Sequence, residues 1–260
     1  MDWHSRINYP TVIPLFERLL NGVQSVLGER LLGLYVSGSL ASGDYVPGRS
    51  DVDFVVATTS ILPEELLPEL AAMHRAVTTS GLALANHLEG MYVPRPALRR
   101  YDPSIADYPA LRADGSFGVD HHGSDWSIQL HLLRKHGIPL VGPDPRELVD
   151  PVPPAELRRA TVGILYEWWE PKLTDPTILH GADYQAYAVL TMCRVLYTVQ
   201  HGDIVSKNTA ARWARDYLGP QWSGLVDQAI HWREGLPFDR LDEILALIEE
   251  TLRRCRASGL

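Results

Sequence analysis

The sequence predicts an α+β amino-terminal domain followed by an all-α carboxy-terminal domain, and three observations carry this expectation. Two short apolar runs, Leu31 to Val36 and Val52 to Ala57, have the length and β-branched content of strands. From Ala155 onward, apolar residues recur almost without interruption at helical spacing. Between the two regimes lies Asp150-Pro-Val-Pro-Pro154, with three prolines in five residues, which neither a helix nor a strand interior accommodates. The 260 residues are therefore expected to divide into domains 1–150 and 151–260.

Each element has a local reason. Val12, Ile13, Phe16, Leu19, Leu20, Val23, Val26 and Leu27 fall on one helical stripe, predicting an amphipathic helix from Pro10 to Leu27. The strands at 31–36 and 52–57 follow, joined by a loop rich in Gly and Ser. Pro63 and two glutamates suit the start of a helix that runs to Val77. Leu82 to Val93 alternates well enough to be a strand, Asp125 to Lys135 reads as a helix closed at Gly137, and Ile138 to Val141 as a short strand. In the second domain, helices are expected over 155–169, 182–200, 206–218, 221–232 and 238–254, with most tryptophans serving as packing core.

Composition narrows the function classes. With 45% hydrophobic and 22% charged residues the chain can bury a core like any globular protein. A formal charge of -8, from 32 acidic against 24 basic residues, argues against nucleic acid as a partner. Cys193 and Cys255 form no Cys-x-x-Cys or Cys/His cluster, which argues against a disulfide framework or a structural zinc site and suits a reducing cytoplasm. There is no export signal and no run approaching the roughly 20 apolar residues of a membrane span. A cytoplasmic monomer without membrane contacts is expected.

The chemistry concentrates in the stretch from Leu34 to Val56. A Gly38-Ser39 turn directly after a strand exposes backbone N–H groups that can bind phosphate oxygens. The next strand opens with Asp51-Val52-Asp53, and strand alternation puts both carboxylates on one face. Such a pair repels itself unless a cation intervenes, and hard oxygen ligands suit Mg2+ bridging to nucleotide phosphates. Alone, either piece reads as an ordinary turn or strand end; eleven residues apart, each beside an apolar strand, they combine into one site. Glu89 interrupts the otherwise apolar Leu88 to Val93, where an unpaired buried carboxylate would be costly. It is expected to face the same site, the alternative being a solvent-facing edge. His87 shares its alternation but reads as a polar strand end.

The Gly-Ser turn and the Asp-x-Asp pair resemble the signature of the nucleotidyltransferase superfamily, the polymerase-β-like fold of many small-molecule adenylyltransferases. Further segments, His136 to Pro153, Cys193-Arg194-Val-Leu-Tyr197 and Gly202-Asp-Ile-Val-Ser206-Lys207 through Trp213, resemble the streptomycin/spectinomycin adenylyltransferases over nearly the whole chain. The resemblance implies transfer of AMP from ATP to an antibiotic hydroxyl with release of pyrophosphate, aided by two Mg2+ ions. It places Asp51 and Asp53, completed by Glu89, at the metal, and makes Glu89 the general base. Gly38 and Ser39 would hold ATP phosphates, and Arg194 and Lys207 match basic residues of the family's helical domain that reach the triphosphate.

Asp183, Tyr187, Arg194 and His201 recur at sums of three and four residues, giving their helix one unusually polar face. A surface salt bridge is the plain alternative for Arg194, and a solvated helix start for Lys207. For the acceptor the family's tryptophan before the Asp125 helix is missing; Phe117, Trp169, Glu170, Asp175 and Asp183 would supply stacking and anionic contacts to a cationic aminoglycoside or aminocyclitol. The rival expectations are a nucleotidyltransferase acting on another small-molecule or protein hydroxyl, and a nucleotide-binding sensor without catalysis.

Overall fold

The computed structural model describes residues 3–47, 50–123 and 125–259. Two units emerge, one comprising Met1–Val46 and Ser50–Pro151, the other Val152–Leu260 together with the short segment 47–49.

The first unit is built on a mixed sheet. Its elements run α1 (Ile13–Leu27), β1 (Leu31–Val36), α2 (Gly38–Ser42), β2 (Val52–Thr58), α3 (Leu67–Thr78), β3 (Leu88–Pro94), α4 (Arg95–Arg99), β4 (Asp107–Leu111), β5 (Phe117–His121), α5 (Trp126–His136), β6 (Ile138–Val141) and α6 (Pro145–Leu148). The six strands lie in the order β5-β4-β3-β2-β1-β6. Only β2 and β3 pair in parallel, because α3 returns the chain to the same end of the sheet before β3 begins. Leu15, Phe16, Leu19 and Val23 of α1 are sealed together with Leu34, Val36, Phe54 and Val56 of the central strands, so the amphipathic stripe legible in the sequence is the face that meets the sheet. Asp150, at the end of this unit, is fastened by Arg99 at 2.8 Å and Arg100 at 2.9 Å, which anchors the chain where the proline-rich segment starts.

The strand expected over 82–93 begins only at Leu88. Leu84 adopts φ +63° and Ala85–His87 forms a 3-10 turn, so the alternating residues before Leu88 belong to a turn. Two strands escaped the sequence reading. β4 contains Pro109, which falls outside the two-residue stretch, Ala110 and Leu111, that pairs with β3. β5 carries Gly118 and Asp120 and lies at the sheet edge, where an apolar run is not required.

The described elements of the second unit are helical: α7 (Pro154–Ile164), a π-helical turn (Leu165–Trp169), α8 (Ala182–His201), α9 (Lys207–Leu218), α10 (Pro220–His231) and α11 (Leu241–Ala257), with short 3-10 turns between. α8 is the axis. Gln185, Ala186, Ala188, Val189, Leu190, Met192, Cys193, Val195 and Leu196 are buried, so apolar contact nearly encircles this helix. Trp169 and Trp232 enter the same core, and Trp213 and Trp222 pack against it; Trp168, 45% exposed, does not.

Candidate active site

The β2–β3 pairing brings the sequence-predicted acids together. Asp53 and Glu89 are register partners, and Val52 and Leu88 beside them are buried. Adjacent strands run about 4.8 Å apart. The two half-buried carboxylates therefore stand side by side on one face. Asp51 is exposed, one residue before β2 begins, and its Oδ1 lies 3.8 Å from His87 Nδ1, a loose pairing that ties the start of β2 to the turn before β3. β3 is an interior strand, so Glu89 does not occupy a sheet edge.

The Gly38-Ser39 turn closes against the same carboxylate. Ser37 N–H donates to Asp53 O at 3.0 Å, holding the end of β1 to β2. Gly38 has φ +60°, and a Cβ at that position would collide with the Asp53 carboxylate. Both the backbone conformation and the space demand glycine. Ser39 follows in α2, with its Oγ buried and without a hydrogen-bond partner. Burying a hydroxyl unpaired costs about 1–3 kcal/mol. A hydroxyl without a hydrogen-bond partner among the described residues, in a turn only glycine can make, is a feature that a bound phosphate would satisfy.

The donor set is carboxylate oxygen, the ligand type that Mg2+ takes. Among the described residues no three His, Cys, Asp or Glu side chains converge to hold an ion by themselves. Mg2+ is commonly held by one or two carboxylates with phosphate and water completing the shell, and Asp51 with Asp53 fits that pattern.

In the second unit, Arg194 of α8 is half-buried, on a helix whose neighbouring positions Cys193 and Val195 are buried. Burial lowers its pKa from the ordinary guanidinium range, with Tyr187 opposing the shift. Among the described residues it forms no ion pair, so the surface salt bridge reading fails. Lys207 is the first residue of α9, behind the Ser206 cap whose Oγ accepts from Thr209 N–H at 3.1 Å. It is half-buried, and its Nζ sits 4.1 Å from the centre of the Tyr187 ring.

The acceptor candidates fare differently. Trp169 is 1% exposed, because the π-helical turn directs it into the core while Trp168 faces out. Its ring stacks on Tyr187 at 5.8 Å and cannot be offered to a ligand. Phe117 packs against His74 at 5.2 Å and Tyr92 at 5.8 Å inside the first unit. Glu170 is paired with Arg256. Asp175 holds Thr177 in a turn, and Asp183 is exposed in the first turn of α8, where a negative charge complements the helix dipole. Sequence reasoning passed over Trp168, whose Nε1 donates to Tyr184 Oη at 3.0 Å and whose ring lies under Lys172. Its adjacency to Trp169 gave no means of telling which would be exposed.

This sheet, with its acids at the head of a parallel pair and a glycine turn against them, is a nucleotidyltransferase fold. Residues 147–258 match the aminoglycoside adenylyltransferase C-terminal domain family. The chain is 26% identical over 248 residues to spectinomycin 9-adenylyltransferase of Staphylococcus aureus, covering 91% of this chain and 90% of that one. It is 29% identical over 241 residues to aminoglycoside (3'') (9) adenylyltransferase of Escherichia coli, covering 88% and 87% respectively. The fold matches the crystal structure of a spectinomycin adenyltransferase from Enterococcus faecialis with ATP and spectinomycin, at a TM-score of 0.74 and 17% identity over 94% of this chain and 98% of that one. The chain thus resembles aminoglycoside adenylyltransferases over most of its length, and its residues 147–258 match the C-terminal domain of that family.

Proposed function

We propose that this enzyme transfers AMP from ATP to a hydroxyl of an aminoglycoside or aminocyclitol antibiotic and releases pyrophosphate. The observation that carries the reading is the placement of Glu89 beside Asp53, with the Gly38-Ser39 turn against the same carboxylate. Glu89 accepts the proton of the acceptor hydroxyl as its oxygen attacks the α-phosphorus. Asp51 and Asp53 are the residues that would hold Mg2+, which when bound supplies charge neutralisation for the phosphates. Ser39 Oγ, buried without a partner, and the Gly38 backbone hold phosphate oxygens. Arg194 and Lys207 of the helical unit bind the triphosphate; a desolvated guanidinium with no ion partner among the described residues supports this role. The first unit is accordingly the nucleotidyltransferase domain, and the second serves ATP and substrate binding.

The acceptor is a cationic sugar, in keeping with the names of the relatives and with the net charge of -8. Asp183 remains a candidate contact because its carboxylate is exposed. Cys193 and Cys255 are buried free thiols, which supports a reducing, cytoplasmic setting. No described helix is long and apolar enough to cross a membrane. The test is a pyrophosphate-release assay over streptomycin, spectinomycin and related amines. Release that requires ATP, Mg2+ and an antibiotic together supports the proposal, whereas no release across the panel contradicts it.

A further inference from the structure

Gly90 directly follows Glu89 in β3, an interior strand, where a glycine gives up side-chain packing and needs a reason to be present. The reason lies across the pairing. Its register partner in β2 is Phe54, one residue on from the paired Asp53 and Glu89. A Cβ on Gly90 would stand 2.5 Å from Phe54 Cγ and Cδ1 and would also collide with the Phe54 carbonyl oxygen. Strand neighbours ordinarily leave room for a Cβ at every position, so β2 and β3 approach more closely here than residues with side chains allow.

Neither obstacle yields cheaply. The carbonyl belongs to the β2 backbone, and the Phe54 ring, 1% exposed, is stacked on His74 at 5.6 Å and set edge-on to Tyr92 at 6.3 Å. His74 Nε2 and Tyr92 Oη are themselves in contact at 2.6 Å. Because side chains alternate along a strand, Phe54 and Gly90 lie on the face opposite Asp53 and Glu89. On the carboxylate face, Gly38 closes against Asp53, and the Ser37 N–H donates to Asp53 O at 3.0 Å. With β2 held to β1 in this way, β3 is the strand that must give if Gly90 acquires a side chain.

We propose that Gly90 is a positioning residue for the transfer reaction: by admitting the Phe54 backbone and ring against β3, it sets the separation at which Glu89 stands from Asp53. A side chain at this position moves β3 and carries Glu89 with it. A misplacement on the order of 1 Å can cost about 100-fold in rate. The inference rests on the proposed role of Glu89 as general base.

The test is steady-state pyrophosphate release with streptomycin and with spectinomycin, alongside calorimetric titration with ATP, on the full chain. The variants are Gly90→Ala, Phe54→Leu, Glu89→Gln and the double variant Glu89→Gln/Gly90→Ala, each assayed well below its own thermal midpoint. Gly90→Ala should lower kcat roughly 10–100-fold with ATP affinity retained. Phe54→Leu trims the ring but leaves the backbone approach intact, so its midpoint should fall while kcat stays close to wild type. The double variant should be no slower than Glu89→Gln alone, because Gly90 acts through Glu89. If Gly90→Ala does not fold, Phe54→Leu/Gly90→Ala, which removes the ring and keeps the carbonyl in the way, takes its place with the same expectation. Wild-type kcat in the folded glycine variant, beside an impaired Glu89→Gln, overturns the proposal. An equal loss of kcat in Phe54→Leu overturns it too, since the effect would then be one of packing. Normal turnover in Glu89→Gln, or no release by wild type with either antibiotic, refutes the underlying reading and this proposal with it.

Discussion

Asp53 and Glu89 are direct partners across the parallel β2–β3 pairing, so two carboxylates share one face of the sheet at neighbouring positions. Like charges opposite one another destabilise a sheet unless neighbouring positive charge offsets them, and in the proposed reaction one of the two takes a proton. Glu89→Gln removes the proposed base and one negative charge while keeping the shape. It should lower kcat by about 10²–10⁴, the usual contribution of a general base, with ATP binding by calorimetry largely retained. A Glu89→Gln enzyme that turned over normally would assign the base elsewhere.

Gly38 is the narrowest constraint on the site. Its φ of +60° is strained for any other residue, and a Cβ would enter the space of the Asp53 carboxylate. Gly38→Ala should destabilise the protein by about 1–3 kcal/mol and abolish activity, because the carboxylate must move to relieve the clash. Chemical denaturation and the pyrophosphate assay measure the two effects on the same sample. Wild-type activity in this variant would mean that the turn and Asp53 are not one unit.

Arg194 should trade stability for binding. Its guanidinium is desolvated, and among the described residues no carboxylate neutralises it. Arg194→Met fills similar volume with an apolar side chain, so the thermal midpoint of the ligand-free protein should hold or rise. Affinity for ATP should fall on the order of 10–100-fold as charge-assisted hydrogen bonds are lost. A lower midpoint together with unchanged ATP affinity would make Arg194 structural.

His74 supplies a pH dependence separate from catalysis. It is 1% exposed, enclosed by the Phe54, Tyr92 and Phe117 rings, with Nε2 2.6 Å from Tyr92 Oη. Burial pushes its pKa down to about 3 from the ordinary 6.5. Between those values the unfolded chain binds a proton that the folded chain does not, so stability falls as pH drops below about 6.5. Urea denaturation of wild type and His74→Gln should show wild type losing about 2 kcal/mol more between pH 6.5 and pH 5. Parallel pH curves would contradict this.

The legible parts of the molecule were those where local pattern and tertiary role coincide. Val52 to Ala57 is apolar because β2 is central, and α1 shows its stripe because one face meets the sheet. Asp51, Asp53 and Glu89 stood out because carboxylates at the head of buried strands have no packing reason to be there. Leu82 to His87 alternates like a strand, yet Leu84 turns the backbone to positive φ, a departure that side-chain pattern does not encode. The acceptor residues were hardest to read. Trp168 and Trp169 are chemically identical neighbours, and only the π-helical turn decides which of them faces out. Phe117 sits in an edge strand that no apolar run marks, so its packing against His74 depends on a pairing that the pattern does not reveal.

The central claim is adenylyl transfer to a small-molecule hydroxyl, and the fate of label from ATP tests it most directly. With Mg2+ and an antibiotic acceptor, label in the α-phosphate should appear on the antibiotic, and label in the γ-phosphate should leave as pyrophosphate. Label from the γ-phosphate on the antibiotic, or from the α-phosphate on a polypeptide, would contradict the account.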